Sequence, residues 1–441
     1  MPPSTPPDPY RQMAALMLAQ GWDRGRMTAA LSVACGSDEA AVDRLVRDAM
    51  AGWEQPYPPA ENQLAESLYE LIGDPLSDSE DGDGLRPDLP HILAPRAATG
   101  PIPALAGTAV PKIETGPELA DWLEVTPAHL DWFADCDGRL ARQGPDHLRH
   151  YNEMWLRKRS GGRRLVEAPL PNLKRLQRKI LDELLAHVPV HHAAYGFVRG
   201  RDCRGHAALH AGEDVVLTVD LKDFFPSVQA GRVHAIFRCL GYPAAVARLL
   251  TGLVTTQTPP EVLATLPSRE RAEWRSTHLP QGAPTSPALA NLSAHALDCR
   301  LSALARCLGA RYSRYADDLA FSGDRGLVFD GAAPVLEMVS EIVRDSGFRV
   351  NSGKTRIMRQ GRRQRVTGIV INQHLNVPRP DYDRLKAILT NCVRHGPSTQ
   401  NRTDQCDFRA HLTGQVGWVA SVNPGRGRKL YALLDRIDWR T

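Results

Sequence analysis

At 441 residues, with 42% apolar side chains and no run of about 18 of them, the chain can build two or three cored domains and is not a helical membrane protein. Its net charge is only +4, but residues 1–100 carry 16 acidic against 7 basic side chains, so the rest holds +13, which points to a polyanion partner for the later chain. Eight cysteines without a Cys-x-x-Cys pair exclude a zinc ribbon or disulfide scaffold, and with no basic-then-apolar leader the protein reads as cytoplasmic.

Residues 10–20, 38–51 and 61–72 space Ala, Leu, Val and Met at helical intervals. Breaks fall at Trp22 to Arg26 and at Cys35-Gly36-Ser37, where Ser37 suits an N-cap. Residues 1–73 therefore read as a small acidic helical module. Residues 74–116 contain Ser-Asp-Ser-Glu-Asp-Gly-Asp-Gly and then recurring Pro and Gly. That composition buries too little surface to fold and reads as a disordered linker. Thr115-Gly116-Pro117-Glu118 is a capping box ahead of Leu119, Trp122 and Leu123. Thr126-Pro127 restarts a helix carrying Leu130, Trp132 and Phe133. Such a pair could read DNA as a helix-turn-helix, but Asp131 and Asp135 on its second helix favour packing onto the next domain.

Trp155 to Pro169 reads as strand, Gly turn and strand, with basic residues near the tip. It lies in a segment, 149–210, of 13 basic and 5 acidic residues. A basic amphipathic helix follows over 172–187, with Leu173, Leu176, Ile180, Leu184 and Leu185 on one face. Tyr195-Gly196-Phe197-Val198-Arg199-Gly200-Arg201 is an aromatic, glycine and basic loop, and 203–211 reads as helix. Asp214 to Asp220 is a continuous β-branched run, a buried strand that delivers Asp220 at its end. A helix is expected over 229–239, a polar insertion loop over 255–278, and a long apolar helix over 288–307. Another helix is expected over 332–346 and a hairpin over 365–372. The tail, 381–437, reads as helical, in a segment, 372–441, of 11 basic and 6 acidic residues.

The chemistry concentrates between Arg311 and Ser322. Tyr312, Arg314, Leu319 and Phe321 suit two strands, and Ala316-Asp317-Asp318 suits the turn between them. An Asp-Asp pair by itself is most often a solvated turn. Two carboxylates in a partly dry turn are costly unless a cation neutralises them. Magnesium, which takes hard oxygen ligands and substrate phosphates, is the natural one. With the strand ending at Asp220, the pieces make a βαββαβ core in which three carboxylates meet. Two metal ions about 4 Å apart could there activate an attacking hydroxyl and stabilise a leaving pyrophosphate.

The stretch from about 149 to 371 resembles reverse transcriptases, with four motifs in order. They are Asp-Leu-Lys-Asp-Phe-Phe-Pro-Ser-Val from Asp220, Gln-Gly-Ala-Pro-Thr-Ser-Pro from Gln281, Tyr-Ala-Asp-Asp from Tyr315, and Gly-Phe-Arg-Val-Asn-Ser-Gly-Lys-Thr from Gly347. The resemblance implies an α+β right-hand polymerase fold with fingers, a ferredoxin-like palm and a short helical thumb, plus an N-terminal helical extension. N-terminal helices and fingers would span 117–214, the palm with some finger elements 215–371, and the basic helical thumb 372–441. It implies Asp220, Asp317 and Asp318 as catalytic metal carboxylates, with the Leu221 carbonyl as a further ligand. Two Mg2+ ions, with Mn2+ as a possible substitute, and deoxynucleotide triphosphates follow from the same likeness. Phe225 takes the place of the steric gate that crowds a ribose 2′-OH, with Asp223 and Phe224 beside it at the nucleotide. Gln281 and Gly282 would meet the incoming nucleotide and template. Lys158, with Arg157 and Arg159 as alternatives, and Arg163 would grip the triphosphate. Lys354 would meet the leaving pyrophosphate, and His206, His210, Tyr315, Val366, Thr367 and Gly368 the RNA or primer.

Val366-Thr367-Gly368 ahead of a short basic thumb is similar to the bacterial retron type. His206-Ala207-Ala208-Leu209-His210 only approximates that type's Asn-Ala-x-x-His marker. This likeness implies copying of a dedicated structured non-coding RNA from a 2′-OH within it, giving branched RNA–DNA, in anti-phage defence with an effector protein. The acidic 1–73 module is the expected effector contact, since its charge repels RNA. Abortive-infection and unclassified bacterial reverse transcriptases are alternatives. A group II intron-type enzyme would need more than the roughly 70 residues that follow the Val-Thr-Gly box. Intact Asp220, Asp317, Asp318, Gln281 and Phe225 oppose a non-catalytic RNA-binding scaffold, and Phe225 opposes an RNA-dependent RNA polymerase.

Overall fold

The computed structural model describes residues 8–18, 20, 23–35, 39–51, 59, 61–72, 108–136, 138, 148–157, 161, 163–266, 271–324 and 332–440. The chain divides into two compact units, Met1–Thr99 and Gly100–Thr441. In the first, α1 (Asp8–Leu18), α2 (Arg24–Cys35), α3 (Glu39–Ala51) and α4 (Glu61–Ile72) close around Tyr10, Met17, Met27, Leu31, Val46, Leu64 and Leu68. The break expected over Trp22 to Arg26 is shorter than supposed. Arg24 already opens α2, where Asp43 of α3 holds its guanidinium. Ser37 and residues 74–107 of the expected linker lie outside the described residues.

The second unit begins with α5 (Gly116–Leu123) and α6 (Pro127–Ala134). Thr115 Oγ1 accepts the Glu118 N–H at 3.3 Å, and Glu118 returns to the Glu114 N–H at 2.8 Å. Thr126 caps α6 through the His129 N–H at 3.2 Å. β1 (Tyr151–Arg157) and β2 (Arg163–Pro169) form an antiparallel hairpin. Residues 158–160 and 162 at its tip, Lys158 among them, lie outside the described residues. After α7 (Pro171–Glu183) and α8 (Cys203–Ala208) come β3 (Val215–Asp220), α9 (Ala230–Cys239) and α10 (Ala244–Val254). Helix α10 was not foreseen. Its Gly252 admits α6 so closely that a Cβ would meet the Ala134 carbonyl oxygen at 2.1 Å, which fixes α6 as a packing helix.

The span 255–278 is more than a loop. Thr256 and His278 exchange two backbone hydrogen bonds of 2.9 Å, and Leu266 and Trp274 pack on Leu165. The long helix expected over 288–307 is two, α11 (Ser286–Ser293) and α12 (His295–Cys307), interrupted at Ala294 with ψ near 4°. Next come β4 (Arg311–Tyr315), β5 (Asp318–Gly323), α13 (Ala332–Asp345) and β6 (Arg356–Arg359). A two-stranded turn, β7 (Arg365–Val366) and β8 (Ile369–Val370), and three helices, α14 (Arg379–His395), α15 (Phe408–Val422) and α16 (Pro424–Leu434), complete the unit.

The architecture is α+β, centred on an antiparallel sheet in the order β4-β5-β3-β6. Strand alternation sends its two faces into two cores. Leu217, Val219, Leu319 and Phe321 enter the larger one, with Phe237, Leu250, Leu289 and Leu301. Val216 and Ala320 enter the other, with Val366, Leu385, Leu389 and Val416 beneath the C-terminal helices. No described helix is long and apolar enough to cross a membrane.

Candidate active site

Two strand ends and one turn build the site. Asp220 pairs directly with Asp318 across β3 and β5, and Tyr315 pairs with Asp318 across β4 and β5. Opposed residues in a sheet share a face, so these three side chains stand together, on the face away from the larger core. The turn between β4 and β5 places Ala316 at φ 56°. The Asp317 carbonyl accepts the Leu221 N–H at 2.8 Å, which ties the turn to the end of β3.

The electrostatics record the crowding. Lost hydration, then the charges of Asp317 and Asp220, push the Asp318 carboxyl up to about 6. Asp317 is raised by lost hydration and by Asp220, with Lys354 and Arg164 pulling the other way. Lys354 supplies part of the answer: its Nζ lies 2.8 Å from Asp220 Oδ1, while Asn351 Nδ2 donates to Oδ2 at 2.9 Å. Desolvation opposes the lysine charge, but Asp220, Asp317 and Asp318 outweigh it and raise the lysine pKa. Three carboxylates and a nearby carbonyl are hard oxygen donors that fit a divalent cation. Among the described residues, no three His, Cys, Asp or Glu side chains are gathered tightly enough to grip an ion unaided.

Beneath the turn lies a buried charged network that the sequence reading passed over. Arg314 and Asp298 are both fully buried and meet in a fork, Nε to Oδ1 at 2.8 Å and Nη2 to Oδ2 at 2.6 Å. The Tyr312 hydroxyl donates to the same Asp298 at 2.8 Å. Arg314 Nη1 donates to Asn291 Oδ1 at 2.9 Å and to the Ala316 carbonyl at 3.1 Å. Asn291 Nδ2 in turn donates to the Gly196 carbonyl at 2.9 Å. Gly196 is needed there, because a Cβ would stand 2.5 Å from the Ala316 nitrogen. A usable signal was present: Asn291 and Asp298, seven residues apart in an apolar helical stretch, are polar on one buried side.

Around the carboxylates the expected residues divide. Phe225 is half-buried at the mouth, with its ring 6.2 Å from that of Phe197. Phe197 is 54% exposed at φ 60° and also lies 6.5 Å from Tyr315, an aromatic that the sequence reading left without a role. Asp223 turns the chain at φ 48°. Phe224 does not reach the mouth: it is buried against Phe348, at 5.6 Å, in the larger core. Gln281 and Gly282 lie against the hairpin. The Gln281 carbonyl accepts the Glu167 N–H at 3.0 Å, and a Cβ on Gly282 would stand 3.0 Å from Val166.

At the hairpin, strand parity separates Arg163, expected at the triphosphate, from its neighbour Arg164. Arg163 pairs with Arg157 and shares the face of Leu165, which packs on Leu266 and Trp274. Arg164 shares the face of Val166 at Gly282, and its charge acts on Asp317. The RNA contacts expected of His206 and His210 are also corrected, because both side chains are fully buried. His210 is held between the Ser322 and Ser313 hydroxyls, each at 2.7 Å. Burial lowers the two imidazoles to about 4 and about 3. Val366 is likewise buried, the Thr367 hydroxyl donates to the Cys203 carbonyl at 3.2 Å, and Gly368 takes φ 83° in the turn. These three serve packing and the turn in this structure.

A profile of the family described as reverse transcriptase (RNA-dependent DNA polymerase) matches residues 156–374. The Retron Mx162 reverse transcriptase of Myxococcus xanthus is 35% identical over 364 residues, 80% of this chain and 71% of that one. The Retron Mx65 reverse transcriptase of the same organism is 42% identical over 294 residues, 65% of this chain and 64% of that one. The Retron Ec86 reverse transcriptase of Escherichia coli is 28% identical over 276 residues, 62% of this chain and 77% of that one.

Proposed function

The chain belongs to the reverse transcriptase family, in its bacterial retron branch, and is an RNA-directed DNA polymerase; on that premise we propose that it copies a dedicated structured non-coding RNA by nucleotidyl transfer at Asp220, Asp317 and Asp318. The observation that carries the reading is the direct opposition of Asp220 and Asp318 at the strand ends, with Asp317 in the adjoining turn. The sheet then serves as a ferredoxin-like palm, the β1–β2 hairpin as part of the fingers, and the helices from Arg379 to Leu434 as the thumb. Divalent metal, Mg2+ with Mn2+ as a substitute, would be held by Asp220, Asp317, Asp318 and the Leu221 carbonyl, and would supply Lewis-acid stabilisation of the phosphoryl oxygens.

The protein's own groups then have distinct tasks. Arg164 on the hairpin meets the triphosphate, with Gln281 and Gly282 against the nucleotide. Phe225 crowds the sugar, while Phe197 and Tyr315 line the primer side. Lys354, held at the carboxylates, is placed to neutralise a leaving pyrophosphate. The acidic module, 1–73, serves an effector protein in anti-phage defence, and the DNA copy stays joined to its RNA through a 2′–5′ branch in the cytoplasm.

Three measurements test the reading. Asp317→Ala should abolish primer extension while leaving RNA retention on a filter near the wild-type level. Residual synthesis within about tenfold of wild type would remove the carboxylate from the chemistry. Sequencing of nucleic acid co-purified from the native locus, with and without debranching, should give one abundant short DNA on one RNA. Heterogeneous DNA would place the chain among other bacterial reverse transcriptases. Phe225→Ala should admit ribonucleotides, and unchanged sugar discrimination would reject the gate.

A further inference from the structure

Glu167 sits on β2, on the face turned away from Arg164 and Val166, and its side chain is fully buried. It touches the first and fourth residues of the stretch His278-Leu279-Pro280-Gln281-Gly282. Its backbone N–H donates to the Gln281 carbonyl at 3.0 Å. Its carboxylate takes the Thr258 hydroxyl on Oε1 at 2.7 Å and faces His278 Nε2 from Oε2 at 3.1 Å. His278 is fully buried too, and its Nδ1 lies 2.6 Å from the Ser276 carbonyl. A carbonyl and an ionised carboxylate are acceptors only. An imidazole between them can satisfy both contacts only by carrying a proton on each nitrogen.

We propose that Glu167 and His278 form a buried ion pair that positions the nucleotide loop against the basic hairpin. The proposal rests on the nucleotide roles assigned above to Arg164 and Gln281. Glu167 lies three residues from Arg164 on one strand, and its two bonds hold the loop that carries Gln281. The Leu279 N–H donates to the Val228 carbonyl at 3.0 Å, so the same loop is also tied to the segment that follows Phe225. The pair therefore sets the spacing between groups on three sides of the incoming nucleotide without touching it, and both residues are positioning residues.

The surroundings support a charged imidazole. Desolvation alone would lower the His278 pKa, but the Glu167 charge, the bond to it and the Ser276 carbonyl outweigh that and raise it. The Trp274 ring stands edge-on at 5.3 Å, and the backbone of Thr256 brackets His278. Tyr151 and Glu153 on β1 also feel Glu167. Burial pushes Glu153 up to about 7, so its titration must be separated from that of the pair.

The test uses the full chain on an RNA template with a DNA primer. Nitrogen-15 histidine NMR at neutral pH should show His278 protonated on both nitrogens, the signal being assigned by its loss in His278→Gln. Across rising pH, the KM for deoxynucleotide should climb several-fold as that proton leaves, with a smaller change in kcat. Glu167→Gln should flatten this step, whereas Glu153→Gln should preserve it. A neutral imidazole at neutral pH overturns the proposal, and so do folded Glu167→Gln and His278→Gln variants with wild-type KM and pH profile. If Glu167→Gln fails to fold, the wild-type NMR signal and KM profile still decide; if His278→Gln fails to fold, His278→Asn supplies the assignment. Activity persisting in Asp317→Ala would instead sink the polymerase site while leaving the NMR result intact.

Discussion

The second unit carries two hairpins that bring opposite charge to one place, and they are held in opposite ways. The β4–β5 hairpin presents Asp317 and Asp318 and is braced from below by buried Arg314, Asp298 and Asn291. The β1–β2 hairpin presents exposed Arg157, Arg163 and Arg164, and its buried anchor, Glu167, lies toward the other end of the ribbon. Like charges that must stay at fixed spacing repel, so the turn that carries them needs rigid support. Cations that meet a polyphosphate are attracted to it, and an exposed ribbon suffices to bring them there.

The largest effect should come from unbracing the first hairpin. Asp298→Ala leaves the Arg314 guanidinium buried without its fork partner, which should cost about 3–5 kcal/mol and lower Tm sharply. Replacing both, as Arg314→Met with Asp298→Leu, should recover much of that stability. It should not recover DNA synthesis, because Arg314 also holds the Ala316 carbonyl. Thermal unfolding and primer extension on the same preparations separate the two. A double variant with wild-type synthesis would show that the network serves stability alone.

The same contrast explains what the sequence disclosed. Asp220, Asp317 and Asp318 were legible because Asp220 ends a continuous β-branched run and Asp317 and Asp318 turn between two strand-forming runs, and a carboxylate there has few structural uses. The β1–β2 hairpin was legible too, but its register was not. Two adjacent arginines look alike in a sequence, and one position of parity moves a side chain to the opposite face. The Asp298 partner of Arg314 was hidden because a charge on an apolar helix looks like a solvated position until the facing strand is known. His206 and His210 were misread because the family resemblance suggested contact with RNA, while the Ser313 and Ser322 hydroxyls absorb His210 inside the fold. Helix α10 gave no motif, only apolar residues, and so drew no expectation.

A pH titration of stability compares the site face with the packing behind it. His206 and His210 are held at about 4 and about 3 by burial, below the ordinary value near 6.5. The unfolded chain takes up their protons as pH falls through about 6.5 and the folded chain does not, so each histidine costs up to roughly 1.4 kcal/mol per pH unit over that window. Asp318 acts in the opposite sense. Its folded value, about 6, lies above the unfolded one, so acid relieves its repulsion and adds stability from about pH 6 downward. Without divalent metal, Tm between pH 7.5 and 5 should therefore fall less in wild type than in Asp318→Asn. Equal slopes would mean that the carboxylate crowding is not felt by the fold.

The smallest effect, and the sharpest on register, is at the basic ribbon. Arg164 shares the face of Val166 and acts on Asp317, whereas Arg163 shares the face of Leu165. A charge-assisted contact to phosphate is worth about 1.5–3 kcal/mol. Arg164→Ala should then raise the KM for deoxynucleotide by roughly ten- to a hundredfold, with kcat less affected. Arg163→Ala should change KM by less than about threefold, since it removes an exposed charge from the far face. Both variants should keep wild-type Tm, because neither side chain is buried. Steady-state extension at varied nucleotide reads the pair directly. If Arg163→Ala gave the larger rise, the ribbon would have to twist by a residue when nucleotide binds, and the contrast between a fixed acidic hairpin and an adjustable basic one would become a difference in motion as well as in anchoring.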